Sequence, residues 1–160
     1  MSENLTHLSK EGHIRMVDVS EKATTRREAT AETLVCYSQE AWDKLKAADF
    51  QTKKGALGEI ARIAGTMAAK KTAEWIPLCH TLPLQGCEIN VEPLHDDTTI
   101  RLTCHVITTA QTGVEMEALT GVSGAALTLY DMTKSLGHGI VIKQTRLLSK
   151  RGGKSDYQVE

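Results

Sequence analysis

The chain has 160 residues, of which 24% are charged and 41% hydrophobic, and its formal net charge is −1. These values are typical of a soluble globular protein with one core. Because its basic residues are dispersed among acidic ones, the chain lacks the basic footprint of a protein that binds duplex nucleic acid. No apolar run approaches the roughly 18 residues that cross a bilayer, and the first residues lack a signal-peptide core. We therefore expect a cytoplasmic protein with neither a nucleic-acid nor a membrane partner.

The cysteines of the chain occur without any C-x-x-C pair. This spacing favours neither a disulfide framework nor a zinc knuckle, and it predicts reduced thiols. The four residues are Cys36, Cys79, Cys87 and Cys104.

The first part of the chain predicts an arm, a strand and a helix. Residues 1–30 are polar and weakly periodic, which indicates an extended N-terminal arm. Residues 33–37 are apolar and form a short strand candidate. Ser38 can then cap a helix that continues to about Asp49.

The middle of the chain predicts a second helix and a hairpin. After a loop at residues 51–55, apolar residues recur at helical spacing over residues 57–75, and Pro77 ends the helix. Apolar and polar residues alternate over residues 87–92 and again over residues 100–106, which predicts an antiparallel hairpin. The turn between these strands would contain His95, Asp96 and Asp97.

The last part predicts a long helix, a strand and a tail. The helix follows Gly113 and is ended by Gly137 and Gly139. Residues 140–148 then form a last strand. Residues 150–160 are basic and glycine-rich, and we predict that they are a mobile tail.

In chain order the predicted elements are a strand, two helices, two strands, a helix and a strand. This is the split βαβ arrangement, in which helices cover one face of an antiparallel sheet. We therefore predict the α+β class, with a single ferredoxin-like catalytic domain over residues 31–149.

The long helix has no charged residue from Ala118 to Tyr130. A surface helix carries charges opposite the stripe that faces its core. Because this helix has none there, we expect its second side to be packed against something else as well, most simply another subunit. Burial at that boundary would shift the pKa values of the groups that end the helix. At 100° per residue the core stripe is Ala118, Val122, Ala125, Leu129, Met132 and Leu136, and the opposite side is Thr120, Gly124, Leu127, Asp131 and Lys134.

Two carboxylates lie at the start of this helix. Thr112 and Glu115 fit the capping box T-x-x-E, which gives Glu115 a structural interpretation. Glu117 has no such explanation. A pair of carboxylates would repel phosphate and suit a ligand with N–H donors, such as a guanine-type edge. The alternative is a solvated helix start.

A proline-stiffened apolar segment, residues 76–84, contains the thiol of Cys79 and the imidazole of His80. A histidine in such a segment is more often a hydrogen-bonded structural residue than a catalyst. A metal would need further ligands, and His95 and His105 lie at spacings that no common zinc site uses.

The residues alone leave three classes of function open. The first is a cofactor-free lyase that acts on a triphosphate and uses Asp131 with Lys134. The second is a non-catalytic oligomeric metabolite binder, since fold alone does not determine function. The third is a metal hydrolase that uses Cys79, His80 and His105.

Six segments carry a family resemblance that covers nearly the whole chain. The most specific are IPLCH at 76–80 and TGVEMEALT at 112–120, because each joins unusual polar residues to an apolar frame. The others are MVDVSEK at 16–22, ARIAG at 61–65, ALTLYDM at 126–132 and RLLSKRGGKS at 146–155. Together they resemble the MoaC family, the cyclic pyranopterin monophosphate synthases of molybdenum-cofactor biosynthesis.

The resemblance implies a lyase that rearranges (8S)-3',8-cyclo-7,8-dihydroguanosine 5'-triphosphate into cyclic pyranopterin monophosphate and releases pyrophosphate. It also implies a homohexamer, a trimer of dimers, with active sites at the dimer interfaces. No resident cofactor is expected, and Mg²⁺ could accompany the triphosphate. By similarity, Asp131, Lys134 and Lys54 perform general acid/base catalysis. The implied substrate contacts are Leu78, Cys79, His80, Glu115, Met116, Glu117, Lys22, Arg27 and Lys150.

The protonation state of Lys134 is not decided by the sequence. Burial and a second ammonium group would lower its pKa from a reference near 10.4, whereas Asp131 and a bound triphosphate would raise it. A base must lose its proton near neutrality. The assignment of Lys134 or Lys54 as the base is therefore a hypothesis.

Overall fold

The structure is a computed structural model that describes residues 12–94 and 97–159. It contains both helices and strands, and most of them lie where the hydrophobic patterns predict them. In chain order the elements are β1 (Thr25–Cys36), α1 (Gln39–Ala47), β2 (Gln51–Thr52), β3 (Gly55–Ala56), α2 (Leu57–Lys70), α3 (Thr72–Trp75), β4 (Leu84–Leu94), β5 (Thr99–Ala110), α4 (Glu115–Thr133), β6 (Val141–Arg151) and β7 (Tyr157–Gln158).

Five strands form one sheet in the order β4-β5-β1-β6-β7, and every neighbouring pair is antiparallel. Without the short β7, this is the strand order of a split βαβ fold. Helix α4 packs on β1, β5 and β6, and α2 packs against α4 and β4. The predicted α+β class, with an antiparallel sheet and helices packed against it, is confirmed.

Strand β1 begins earlier than the sequence indicated. We predicted an arm over residues 1–30 and a strand over residues 33–37, but Thr25 already pairs with Ala110 of β5. The error arose because the first residues of β1 are charged, and charge is tolerated where a strand faces the side of the sheet without helices. Residues 1–11 of the predicted arm lie outside the described residues.

A carboxylate ties the three central strands together on that uncovered side. Glu32 of β1 is only 4% exposed. The Nε atom of Arg101 on β5 lies 2.9 Å from one of its oxygens, and the Nη2 atom of Arg146 on β6 lies 2.8 Å from the other. Because a buried charge is tolerated only when it is paired, the two arginines offset the cost of burying Glu32.

The C-terminal segment is part of the sheet and is not the tail that we predicted over residues 150–160. Strand β6 continues to Arg151, and Tyr157 returns to pair with Lys150. Gly152 makes the turn between them with φ of +84°, and a Cβ atom there would lie 1.9 Å from the carbonyl oxygen of Arg26. The glycines that suggested mobility therefore build a tight turn that only glycine permits.

The predicted helices are present with one interruption. The Ser38 hydroxyl accepts a hydrogen bond from the backbone N–H of Ala41, so the predicted cap of α1 is confirmed. The helix predicted over residues 57–75 is divided at Lys71 into α2 and α3, and at this junction the buried Thr72 hydroxyl donates to the carbonyl of Ala69. Within the described residues no helix is long and apolar enough to cross a bilayer.

The predicted hairpin is formed by β4 and β5, with Ile89 opposite Cys104 in the register. The strands are longer than predicted because their outer residues also pair. Of the predicted turn, His95 and Asp96 lie outside the described residues.

Helix α4 is buried along its predicted stripe, from Ala118 to Met132. On the opposite side, Gly124 lies against α2, where a Cβ atom on Gly124 would be 2.4 Å from that of Ala68. This part of α4 is therefore covered by a helix of the same chain and not by the second subunit that we expected. From Leu127, which is 54% exposed, the opposite side is open.

Replacing Gly124 tests this close approach. We expect Gly124→Ala to lower the free energy of unfolding by about 1–3 kcal/mol, because the added methyl group overfills the contact with Ala68. The measurement is urea unfolding followed by circular dichroism at a fixed protein concentration.

The matched control for Gly124→Ala is Gly58→Ala, which also removes a glycine from a helix. A Cβ atom at Gly58 would make only ordinary contact, 3.5 Å from the Arg62 guanidinium. This variant should lose no stability and could gain up to about 1 kcal/mol. Equal unfolding midpoints for the two variants would show that α2 and α4 do not approach as described.

Candidate functional site

Two adjoining cavities lie at the N-terminal end of α4. The large cavity has a volume of about 510 Å³ and the small cavity one of about 220 Å³. Eight of the nine predicted substrate contacts line the large cavity, and the ninth, Arg27, lines the small one. The residues that line both are Lys22, Thr112, Gly113, Glu115 and Lys150.

The carboxylate of Glu115 lies between the cavities and faces a lysine. Its Oε1 atom is 3.3 Å from Nζ of Lys150 on β6. The predicted capping box is wrong: Val114 is the N-cap residue of α4, and no side chain caps the helix. Glu115 is free to turn towards Lys150 because Gly113 has no side chain, and a Cβ atom there would be 2.0 Å from Oε2 of Glu115.

The other carboxyl group, that of Glu117, is almost buried. The residue is 4% exposed and lines the large cavity. The pKa of Glu117 is raised to about 7, chiefly by burial; a backbone hydrogen bond lowers it in part, and the charge of the nearby Glu115 adds to the rise. The positive end of the helix would lower this pKa, but loss of water outweighs that effect. Near neutrality Glu117 can therefore donate as well as accept a hydrogen bond.

His80 is held by a segment that precedes β1. Its Nε2 atom lies 2.9 Å from the carbonyl oxygen of Val17. A carbonyl only accepts, so Nε2 of His80 donates this hydrogen bond. The side chain of Gln111 donates to the carbonyl of Ser20 and holds the same segment a second time.

Cys79 lies beside His80 in the wall of the large cavity. Burial raises the pKa of the Cys79 thiol, and the charge of Glu117 adds to the effect. The thiol is therefore neutral near pH 7, so the environment suits a packing contact better than a nucleophile.

Five of the eleven residues that line the small cavity are cations and two are carboxylates, so its net positive charge suits an anion such as a phosphate group. The sequence analysis assigned neither Arg151 nor Lys154 to the site, although it included their neighbour Lys150. Val17 and Val19 were also missed as cavity residues, although the MVDVSEK motif contains them. The cations of the small cavity are Lys22, Arg27, Lys150, Arg151 and Lys154.

The three predicted catalytic residues form a separate cluster at the other end of α4. Asp131 lies between two lysines, with Oδ1 2.7 Å from Nζ of Lys134 and Oδ2 2.8 Å from Nζ of Lys54. The hairpin of β2 and β3 positions Lys54, since the Thr52 hydroxyl accepts from the backbone N–H of Lys54. The side chain of Asp131 is 54% exposed, so the burial expected from the sequence is absent in the single chain.

The ion pairs set the proton affinities of this cluster. Hydrogen bonds from Lys134 and then Lys54 lower the pKa of Asp131 to about 2. The same contact with Asp131 raises the pKa of Lys134. The sequence left open whether the pKa of Lys134 is raised or lowered. In the isolated chain it is raised, so Lys134 is charged.

The cavities and the Asp131 cluster are far apart within one chain. Glu117 and Asp131 are 14 positions apart on α4. At a rise of 1.5 Å per residue, the two groups are separated by about 21 Å along the helix. The predicted catalytic residues therefore do not line these two cavities of their own chain.

Comparison with known proteins agrees with the motifs. The MoaC family matches residues 16–153. The chain belongs to the MoaC family. A cyclic pyranopterin monophosphate synthase of Xanthomonas campestris pv. campestris (strain B100) is 50% identical, over 97% of this chain and 93% of the relative. Proteins of the same name from Brevibacillus brevis and Staphylococcus carnosus are 48% and 47% identical, over 97% and 100% of this chain and 95% and 99% of the relatives.

The residues considered for a metal hydrolase lie apart in this MoaC-family chain. His105 is on the uncovered side of the sheet, 3.4 Å from an oxygen of Glu28, whereas Cys79 and His80 line the large cavity. Across residues 12–94 and 97–159, no three His, Cys, Asp or Glu side chains are grouped as metal ligands. His95 lies outside those ranges.

The raised pKa of Glu117 predicts a loss of stability with rising pH. The unfolded carboxyl ionises near 4.5 and the folded one near 7, so the folded state binds more protons between these values. Unfolding free energy should fall across this window by up to roughly 3 kcal/mol. We expect Glu117→Gln to abolish this part of the pH dependence, measured by urea unfolding at a series of pH values.

The control for Glu117→Gln is Glu59→Gln, which removes a carboxyl from the exposed surface of α2. It should keep the pH dependence of the wild-type protein. Parallel pH curves for the wild-type protein and Glu117→Gln would mean that Glu117 is not desolvated.

Proposed function

We propose that this protein is a lyase of molybdenum-cofactor biosynthesis that converts (8S)-3',8-cyclo-7,8-dihydroguanosine 5'-triphosphate to cyclic pyranopterin monophosphate and pyrophosphate. The main support is that all nine predicted contacts line two adjoining cavities, one with carboxyl groups and one with cations. The names of the relatives support the reaction, since they are cyclic pyranopterin monophosphate synthases.

The large cavity suits the base-derived part of this substrate. Its volume of about 510 Å³ is in the range of small-molecule sites. The Glu117 carboxyl, protonated near neutrality, can pair with a ring that presents both N–H donors and acceptors. Met116 and Leu78 supply apolar surface for the ring. The prediction from spacing, that paired carboxyl groups would bind a guanine-type edge, is thus compatible with the geometry.

The small cavity suits the triphosphate. Lys22 and Lys150 belong to both cavities, so a ligand that spans them would have its phosphates near Arg27 and Lys154. We propose that a Mg²⁺ ion, where present, arrives with the triphosphate. Among the described lining residues the carboxylates are Glu28 and Glu115, and both are paired with protein cations. The ion would therefore take its ligands mainly from phosphate and water.

The Asp131 cluster suits proton transfer to and from the rearranging ring. Asp131 raises the pKa of Lys134, which is above neutrality even for a free lysine, so Lys134 carries a proton and can act first as a general acid. Asp131 is a weak base, since its pKa is about 2. It would hold both lysines in place and stabilise their charge while the proton moves.

A second copy of the chain would complete the site. The cluster lies about 21 Å along α4 from Glu117, which is too far for one chain to use both groups on one ring. We propose that the protein is a homohexamer, a trimer of dimers in the cytoplasm, and that the Asp131 cluster of one protomer meets the cavities of its partner. The open side of α4 from Leu127 onwards is available for that contact.

The direct test is incubation of the purified protein with the cyclised nucleotide, followed by measurement of pyrophosphate. A lyase releases one pyrophosphate per substrate. Binding of the nucleotide without any release would favour the alternative, a non-catalytic metabolite binder.

Lysine variants test the acid/base assignment. We expect Lys134→Ala and Lys54→Ala each to lower turnover roughly 100-fold or more, because a positioned proton donor is lost. Lys53→Ala is the matched control, since Lys53 lies next to Lys54 on the same exposed turn and has no contact with Asp131 among the described hydrogen bonds and ion pairs. Substrate binding and circular dichroism separate catalysis from folding. Normal turnover in both Lys134→Ala and Lys54→Ala would refute the assignment.

Mixed oligomers test whether the site is shared. Asp131→Asn damages the Asp131 cluster, and His80→Asn damages the large cavity. Each variant alone should therefore be nearly inactive. After unfolding and joint refolding, random pairing into symmetric dimers should restore about a quarter of the wild-type rate per chain. Size-exclusion chromatography checks assembly. A mixture no more active than the two variants measured separately would mean that each chain carries its own complete site.

A further inference from the structure

Two thiols lie close together away from the cavities of the candidate site. Cys87 on β4 and Cys104 on β5 have their Sγ atoms 4.0 Å apart. They are diagonal neighbours across the two strands, because Cys87 pairs with Val106 and Ile89 pairs with Cys104. Both therefore lie on the helix-covered side of the sheet.

The two thiols differ in their access to solvent. Cys104 is fully buried, whereas Cys87 is half-buried. Cys87 also lines a third cavity, with a volume of about 410 Å³, together with Thr66 and Lys70. A small solute can therefore reach Cys87 but not Cys104.

Their surroundings also separate their reactivity. The hydrogen bond from Cys104 lowers the pKa of Cys87, and Thr66 and Lys70 also lower it against the cost of burial. The pKa of Cys104 is raised by its contact with Cys87 and by burial. Since the thiolate is the nucleophile, Cys87 is the one that reacts with an oxidant near neutrality.

We propose that Cys87 and Cys104 are a reversible redox pair whose oxidant is hydrogen peroxide. The thiolate sulfur of Cys87 attacks one peroxide oxygen. The O–O bond breaks, Cys87 becomes a sulfenic acid, and the leaving oxygen takes a proton to form water. The proton of Cys104 then passes to the oxygen of the sulfenic acid as the Cys104 sulfur attacks the Cys87 sulfur, so the S–O bond breaks and a second water leaves. Two thiols and one peroxide thus give one disulfide and two waters.

The positions of the thiols allow the second step. A disulfide bond of about 2.0 Å requires the sulfur atoms to approach by about 2 Å, and because the Cα atoms of diagonal neighbours are about 7–8 Å apart, the backbone of β4 must move as well. Strand β4 is at the edge of the sheet and has a neighbour only on the β5 side, so it can adjust. The other thiols are different: Cys36 accepts a hydrogen bond from Thr99, and the pKa of Cys79 is raised.

The test treats the reduced wild-type protein with hydrogen peroxide at pH 7 and counts free thiols by alkylation. We expect two of the four thiols to disappear, the intact mass to fall by two hydrogen atoms, and dithiothreitol to restore both. Peptide mapping should join Cys87 to Cys104. This measurement needs no variant, so it does not depend on whether a substituted protein folds.

Variants test the order of the two steps. Cys104→Ser should stop at the sulfenic acid, which gains one oxygen and is trapped at Cys87 by dimedone. Cys87→Ser should leave Cys104 reduced at the same peroxide dose. Cys36→Ser, the matched control, should form the same disulfide as the wild-type protein.

Three results would overturn the proposal. The first is retention of all four thiols in the wild-type protein at a dose that oxidises glutathione. The second is a disulfide that joins any other pair. The third is equal oxidation of Cys104 in Cys87→Ser and in the wild-type protein. None of these outcomes bears on the proposed lyase activity, which uses other residues.

Discussion

The close contact of α4 with its neighbours is the constraint on which the rest of the structure depends. Three glycines allow it. A Cβ atom at Gly65 of α2 would lie 2.9 Å from the carbonyl oxygen of Gly121, and one at Gly121 would lie 2.6 Å from the sulfur of Cys104. Gly124 would meet Ala68 in the same way. Because side chains are absent at these points, the backbone of α4 can approach both α2 and the sheet.

This placement gives the two ends of α4 opposite electrostatic environments. The first turn of the helix forms part of the cavity wall, where Glu117 is buried away from water and its pKa rises. At the last turn the helix emerges beside the hairpin of β2 and β3, where Asp131 stays solvated between two ammonium groups and its pKa falls. One rigid element therefore carries a carboxyl group that holds its proton and another that releases it.

Much of the fold could be predicted from the residues, and the errors share a physical origin. The alternation around Ile89 and the helical stripe along α4 were correct because burial imposes a period on apolar residues. The start of β1 and the end of β6 were missed because their residues are polar. They belong to strands whose order comes from backbone pairing across the sheet, as between Thr25 and Ala110, and local hydrophobicity does not record that pairing.

The candidate site, like the fold, could be predicted only in part from the sequence. The motifs indicated the residues that line the cavities, although their individual roles remain predictions. They gave no sign that Lys150 would turn Glu115 away from a capping box, since the two residues come from different elements. Nor did they indicate that Asp131, at the end of an almost uncharged helix, would be exposed in a single chain.

The sequence by itself determined the family, the α+β class and the set of polar residues that can carry chemistry, because periodicity and motif spacing are properties of the linear chain. Only the tertiary structure decided which of those residues meet. It placed the free thiols of Cys87 and Cys104 side by side across two strands and brought Val17 into contact with His80. It also left the Asp131 cluster far from the cavities. Contacts between distant segments depend on how closely the elements pack, and local sequence does not specify that.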